Sequence, residues 1–126
     1  MDKKIVQDVL DALTAGVQAG RDAIPEPMTV VSEQTNQSWY VSEGPCGFAW
    51  VEFKGNTKFA RTVKQMFEGA DRNGVVMYGN GYPSGKQLWI SAFNQSYDRK
   101  SAMAGKMAQV LRERGYADVY AGGRLD

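Results

Sequence analysis

Apolar residues recur at two different periods along the chain, and together they predict a mixed α+β domain. Helical spacing marks three segments, residues 3–20, 57–70 and 97–114. Strand-like patterns mark four others, residues 46–54, 75–78, 87–93 and 116–121. Two shorter extended pieces, 28–32 and 39–42, follow prolines that stop the first helix. Gly16 and Gly20 are expected to weaken the last turn of that helix.

The order of elements from residue 46 to residue 121 is β-α-β-β-α-β. This order is typical of the ferredoxin-like split unit, an antiparallel sheet with both helices on one face and its first and third strands in the middle. We therefore expect a single domain over 1–126, with 44–126 as its core and 1–43 as an addition. The addition has three possible placements: over the open sheet face, along a sheet edge, or in self-association.

Strand alternation predicts which side chains share a face of the sheet. Aliphatic residues such as Val51 and Leu88 are expected to pack on the helices. The opposite face of the two central strands would then carry four large aromatics: Phe48, Trp50, Trp89 and Phe93. Such a concentration requires a partner. Three explanations are open. The aromatic face is covered by the first helix or by a second copy in a homodimer, it serves as a stacking platform for bases or an aromatic ligand, or it binds another protein.

Composition narrows the chemistry. The chain has 126 residues, the size of one domain, and a net charge of +1, which excludes an acidic DNA mimic and a strongly basic nucleic-acid coat. It has no histidine and one cysteine, Cys46, so the commonest general base and a disulfide are both excluded. The acidic residues show no metal-loop or paired-carboxylate spacing. We expect no enzymatic activity, no cofactor and no metal, and a half-buried structural role for Cys46.

No window of the chain has the apolar length of a membrane span, and the N-terminus lacks the pattern of a secretory signal. The sequence therefore predicts a cytoplasmic protein that does not bind membranes.

Two resemblances to known proteins follow from short motifs. The segment 47–53, Gly-Phe-Ala-Trp-Val-Glu-Phe, resembles the aromatic signature of RNA-recognition-motif domains. It departs from that signature in two ways: Cys46 replaces the basic residue, and the segment lies on the first strand of the unit instead of the third. The resemblance implies stacking of single-stranded nucleic acid on the sheet.

The second resemblance rests on three blocks: 44–51 (GPCGFAWV), 94–100 (NQS followed by RK) and 121–126 (AGGRLD). They are similar to blocks of a group of small, largely uncharacterised proteins of tailed bacteriophages and prophages. The similarity covers residues 44–126. It implies a phage-type setting, in the host cytoplasm, where small proteins bind and block host factors. It also marks five residues as one polar site: Gln95, Ser96, Arg99, Lys100 and Arg124. The alternative gives Ser96 a helix-capping role and pairs Arg124 with a carboxylate.

Three functions follow as hypotheses. The first is a non-enzymatic, phage-type protein that binds a host protein or nucleoprotein and inhibits a defence component, as anti-CRISPR proteins do. The second is single-stranded nucleic-acid binding through the aromatic face. The third is sequestration of a nucleotide or second messenger, with Arg99, Lys100 or Arg124 on its phosphates.

Overall fold

A computed structural model describes residues 1–68, 74–81 and 84–126. Its helices are α1 (Lys3–Asp22), α2 (Lys58–Phe67) and α3 (Tyr97–Glu113). Its strands are β1 (Met28–Val31), β2 (Ser38–Val41), β3 (Gly47–Phe53), β4 (Val76–Asn80), β5 (Lys86–Ile90) and β6 (Tyr120–Leu125). The predicted α+β class is confirmed. The predicted end of the second helix at residues 69–70, the turn at 71–73 and the hairpin residues 82–83 lie outside the described part.

The main sheet has four antiparallel strands in the order β4-β5-β3-β6. Val51 lies opposite Leu88 on β5 and opposite Ala121 on β6, so β3 is hydrogen-bonded on both sides. One face of β3 is buried, and its side chains belong to the hydrophobic core of the described residues: Ala49, Val51 and Phe53. As alternation predicts, the aliphatic side chains face the helices.

All three helices contribute to that core. α1 packs along α3 and, over a shorter length, against α2. A Cβ atom at Gly16 would lie 2.5 Å from Cγ of Met107, so glycine is what permits the close approach of α1 to α3. The glycines therefore do not shorten the helix, which continues to Asp22. The proposed cover of the aromatic face by α1 is wrong, because α1 buries its apolar stripe on the helix layer.

The extended pieces after α1 pair with each other. β1 and β2 form a separate two-stranded antiparallel sheet, in which Val30 lies opposite Trp39. Trp39 and Tyr40 are exposed. The predicted strands at 28–32 and 39–42 are thus present to within a residue, and they do not pair with an edge of the main sheet.

The last strand begins later than predicted. Residues 116–119 are not in a strand, because Tyr116 donates its backbone N–H to Leu111 and closes the end of α3. The chain enters the sheet only at Tyr120 and continues to Leu125. At the other end of the sheet, β5 stops at Ile90, short of the predicted residue 93.

A buried carboxylate joins the two ends of the chain. Asp8 on α1 is 5% exposed and accepts hydrogen bonds from Lys4 (2.7 Å), Tyr116 (2.6 Å) and Arg114 (2.8 Å). Arg114 also donates to Asp11 at 2.9 Å. Burial alone raises the pKa of Asp8, but the three donors outweigh it and hold that pKa at about 2.

None of the described helices is long and apolar enough to span a membrane.

Asp8 makes a pH-dependent contribution to stability. Its pKa is lower in the folded chain than its ordinary value of 3.8, so the stabilisation is complete above about pH 4 and is lost as the pH falls towards 2. We expect Asp8→Asn to lower the free energy of unfolding at pH 7 by roughly 2–3 kcal/mol, since it removes a charged acceptor shared by three donors. Urea unfolding at pH 7, 4 and 2.5 measures this directly.

In that series the wild type should lose stability between pH 4 and 2.5, and Asp8→Asn should lose much less. Asp11→Asn is the matched control, because Asp11 is more exposed and shares only Arg114 and Gln7. Equal pH dependence in Asp8→Asn and wild type would contradict the assignment.

Candidate functional site

On the two central strands, the face of the sheet opposite the helices carries the large aromatic side chains of Phe48, Trp50 and Trp89. Phe48 and Trp50 alternate with the buried residues of β3, and Trp89 lies directly opposite Trp50 on β5. The Trp50 and Trp89 rings are nearly parallel, at an interplanar angle of 9° with centroids 5.7 Å apart. Phe48 lies 5.2 Å from Trp89. We call these three residues the aromatic face; each is partly exposed.

Two adjacent glycines on β6 accommodate rings on opposite sides of the sheet. A Cβ at Gly122 would lie 2.4 Å from Nε1 of Trp50, so the indole covers this position on the aromatic face. A Cβ at Gly123 would lie 3.1 Å from the ring of Tyr97, which is on the helix side. The successive glycines thus let one ring lie close to the backbone on each side.

Polar groups border the aromatic face. A cleft of about 440 Å³ lies away from this face, near residues 93–99. A second cavity, of about 430 Å³, lies on the aromatic face. The second is lined by Trp50, Glu52, Asn80, Gln87, Trp89 and Arg124. Glu52 lies opposite Gln87 in the sheet, so a carboxylate and an amide adjoin the two indoles. The face therefore offers stacking surfaces together with hydrogen-bonding groups.

Two cations meet at the Phe48 ring. The guanidinium of Arg124 lies 5.2 Å from the ring centroid, and Nζ of Lys100 lies 5.9 Å from it. Arg124 is beside Phe48 in the sheet register. Lys100 reaches the ring from α3 and is only 4% exposed. The alternative in which Arg124 pairs with a carboxylate is wrong for the described residues, which give it the Phe48 contact instead.

Phe93 does not belong to the aromatic face, and its prediction there is wrong. β5 ends at Ile90, and Phe93 and Asn94 both take a left-handed backbone conformation, with φ of 67° and 50°. The turn carries the Phe93 ring to α1, where a Cβ at Gly20 would lie 2.2 Å from it. Strict alternation fails here because the strand has already ended.

The predicted polar site is divided between two places. Gln95, Ser96 and Arg99 line the 440 Å³ cleft together with Phe93. Lys100 and Arg124 lie instead at Phe48. The three sequence blocks nevertheless lie side by side in the fold. The backbone of Cys46 forms an isolated antiparallel β-bridge with that of Ser96. The carbonyl of Cys46 also accepts a hydrogen bond from the backbone N–H of Asp126 at 3.0 Å.

Structural contacts account for the polar groups of the cleft. Ser96 caps α3, accepting from the backbone N–H of Arg99 at 3.4 Å, and donates to the carbonyl of Glu43 at 3.1 Å. Arg99 pairs with the Glu43 carboxylate at 2.7 Å and donates to the carbonyls of Gly20 and Arg21 at the end of α1. Ser96 and Arg99 thus fasten the segment 20–43 to the core.

Cys46 is exposed at this cleft, and the expected half-buried environment is wrong, because only its backbone enters the contact with Ser96. Over residues 1–68, 74–81 and 84–126, cysteine and carboxylate side chains form no cluster of three that would hold a metal.

Sequence reasoning missed Glu52, Gln87 and Gly122, which adjoin the aromatic face. Gln87 alternates with Trp89, and this signal was present in the strand pattern. The role of Gly122 had no local signal, since it depends on pairing of β6 with a strand more than seventy residues earlier. Comparison with protein-family models, curated proteins and solved structures gives no match.

The position of the Trp50 indole against β6 can be tested by a substitution at Gly122. We expect Gly122→Ala to displace the indole, because the new Cβ would overlap its Nε1, and so to shift tryptophan emission to the red while the chain stays folded. Gly79→Ala is the control, since a Cβ there has no neighbour within 4 Å. Fluorescence and circular dichroism of both variants measure this. An emission spectrum unchanged by Gly122→Ala would contradict the placement of Trp50.

Proposed function

We propose that this chain is a non-enzymatic, phage-type binding protein that contacts a host macromolecule through its aromatic face and thereby inhibits a component of host defence. One observation carries the proposal: Phe48, Trp50 and Trp89 are partly exposed on the sheet face opposite the helices. Exposed clusters of aromatic side chains mark interaction surfaces, and tryptophan is enriched at binding hot spots. The phage setting and the cytoplasmic location rest on the resemblance of residues 44–126.

The core that presents this face is, in this proposal, a ferredoxin-like unit. The strand order β4-β5-β3-β6 supports this, since it puts the first and third strands of the unit, β3 and β5, in the middle. A central position matters for function because aromatics on two adjacent inner strands form one continuous surface.

The proposal assigns the cleft residues Gln95, Ser96 and Arg99 a structural role. The Arg99 side chain makes hydrogen bonds to Glu43, Gly20 and Arg21, so a ligand would have to displace contacts that hold the end of α1. The aromatic face requires no such displacement, and it is the better candidate for binding.

Single-stranded nucleic acid is a second candidate ligand, favoured by the two cations beside Phe48. Bases stack on exposed aromatic rings with roughly 1–3 kcal/mol per base, and cations near the rings attract the backbone. Glu52 and Gln87 would then hydrogen-bond to base edges.

The three tryptophans provide an internal comparison for testing the face. Trp50→Ala and Trp89→Ala remove it, whereas Trp39→Ala removes an exposed ring on the β1–β2 hairpin. If the face binds the partner, each of the first two should weaken binding at least tenfold, a typical loss for a hot-spot residue of about 1.4 kcal/mol or more. Trp39→Ala should bind as the wild type does.

The measurement is pull-down from host extract, followed by titration of the purified host protein with the wild type and all three variants. A parallel titration uses random single-stranded DNA and RNA. If Trp50→Ala and Trp89→Ala lose affinity for the purified host protein, the first candidate is supported. If they lose affinity for the oligonucleotide, the second candidate is supported. Unchanged affinity of Trp50→Ala and Trp89→Ala for every partner bound by the wild type would overturn both.

A further inference from the structure

Lys100 is an unusual residue in this fold. It lies in the first turn of α3 and is 4% exposed, yet among the described residues its ammonium forms neither a hydrogen bond nor an ion pair. Its charged end contacts the Phe48 ring, with Nζ 5.9 Å from the ring centroid. Burial lowers the pKa of the ammonium, since removal from water disfavours its charged form. The nitrogen itself keeps contact with solvent, since Ser91 Oγ is the one described side-chain polar atom that is fully buried without a hydrogen-bond partner.

A second cation increases the imbalance. The Arg124 guanidinium contacts the same ring from β6, and it forms no ion pair with a described carboxylate. Neither cation therefore has an ion-pair partner among the described residues, although Glu52 lines the same cavity as Arg124. A bound anion would balance their charge and accept hydrogen bonds from both.

We propose that Lys100 and Arg124 form a phosphate-binding site at Phe48, and that it takes the phosphate of a nucleotide unit whose base stacks on Trp89 or Trp50. The inference rests on the second candidate function and specifies its ligand chemistry. Phosphate suits the site because guanidinium donors bind two of its oxygens at once, while the ammonium adds a third charge-assisted hydrogen bond.

The position of the site also favours a nucleotide unit over an isolated anion. Phe48 lies 5.2 Å from Trp89, and Arg124 lines the same 430 Å³ cavity as Trp50 and Trp89. A ligand with a flat ring and an anion in this cavity would therefore contact the indoles and Arg124 together, with Lys100 on the Phe48 ring next to Arg124. The phosphate can belong to a free nucleotide or to a single strand, and the test separates them.

The first experiment measures thermal unfolding with pyrophosphate, which has the anion but no base. About a tenfold excess over its dissociation constant should raise the Tm of the wild type by roughly 4–6 °C. Lys100→Met and Arg124→Gln should each lose most of that rise. The matched controls, Lys106→Met on the same helix and Arg61→Gln on α2, remove the same charges elsewhere and should keep it.

Without ligand, Lys100→Met should melt at or above the wild-type temperature, because it removes a charge that has no ion-pair partner on a nearly buried side chain and keeps an apolar stem of similar length. A strongly lowered Tm would give the ammonium a structural role and overturn the proposal. Arg124 is exposed, so Arg124→Gln tests the site without loss of the fold. An absent pyrophosphate effect in the wild type, or one retained by both variants, would also overturn it.

The second experiment compares adenosine, AMP and a single-stranded oligonucleotide. Tighter binding of AMP than of adenosine supports the phosphate site. If AMP also binds as tightly as the oligonucleotide, the ligand is a free nucleotide and not a single strand. For the oligonucleotide, each cation variant should reduce the slope of log affinity against log salt by roughly 0.7. Equal affinities for adenosine and AMP would overturn the proposal.

The two proposals fail in different ways. Trp50→Ala and Trp89→Ala should keep the pyrophosphate effect and lose affinity for the oligonucleotide, whereas Lys100→Met should lose the pyrophosphate effect and keep an intact aromatic face. One outcome separates the two proposals. If pyrophosphate raises the Tm but Trp50→Ala and Trp89→Ala bind every partner as tightly as the wild type does, the phosphate site is retained and the proposed function is contradicted.

Discussion

The close packing of α1 on α3 determines which surface of this protein is left for binding. α1 reaches van der Waals contact with α3 at Gly16, and its Asp8 carboxylate joins Arg114 and Tyr116 beyond the end of α3. These contacts commit the apolar stripe of α1 to the helix layer. Since one helix cannot bury the same stripe twice, the aromatic face keeps its rings available.

Local patterns predicted most of the fold but not its long-range choices. Periodicity located the three helices, and alternation separated Val51 and Leu88 from Trp50 and Trp89. The placement of α1 could not be read from its own stripe, because an apolar stripe can pack on a sheet face or on other helices. The decisive residues were Gly16 and Asp8, whose meaning depends on partners about ninety or more residues away.

The candidate site followed the same division. Phe48, Trp50 and Trp89 were predictable because they obey the period of a strand, whereas Phe93 was misplaced because a left-handed turn ended that period. The polar residues separated for another reason. Neighbours on a helix point in different directions, so Arg99 reaches Glu43 while Lys100, one position later, reaches Phe48. Proximity in sequence was a poor guide to a shared site.

The contrast between Asp8 and Lys100 is the strongest argument for function in this chain. Both are nearly buried charges, yet Asp8 has three donors and a lowered pKa, whereas Lys100 has an aromatic ring and a pKa lowered by burial. The fold thus supplies partners for a buried charge where stability is at stake. Lys100 has no ion-pair partner among the described residues and its nitrogen keeps contact with solvent, which is why an anionic ligand is the partner we propose for it.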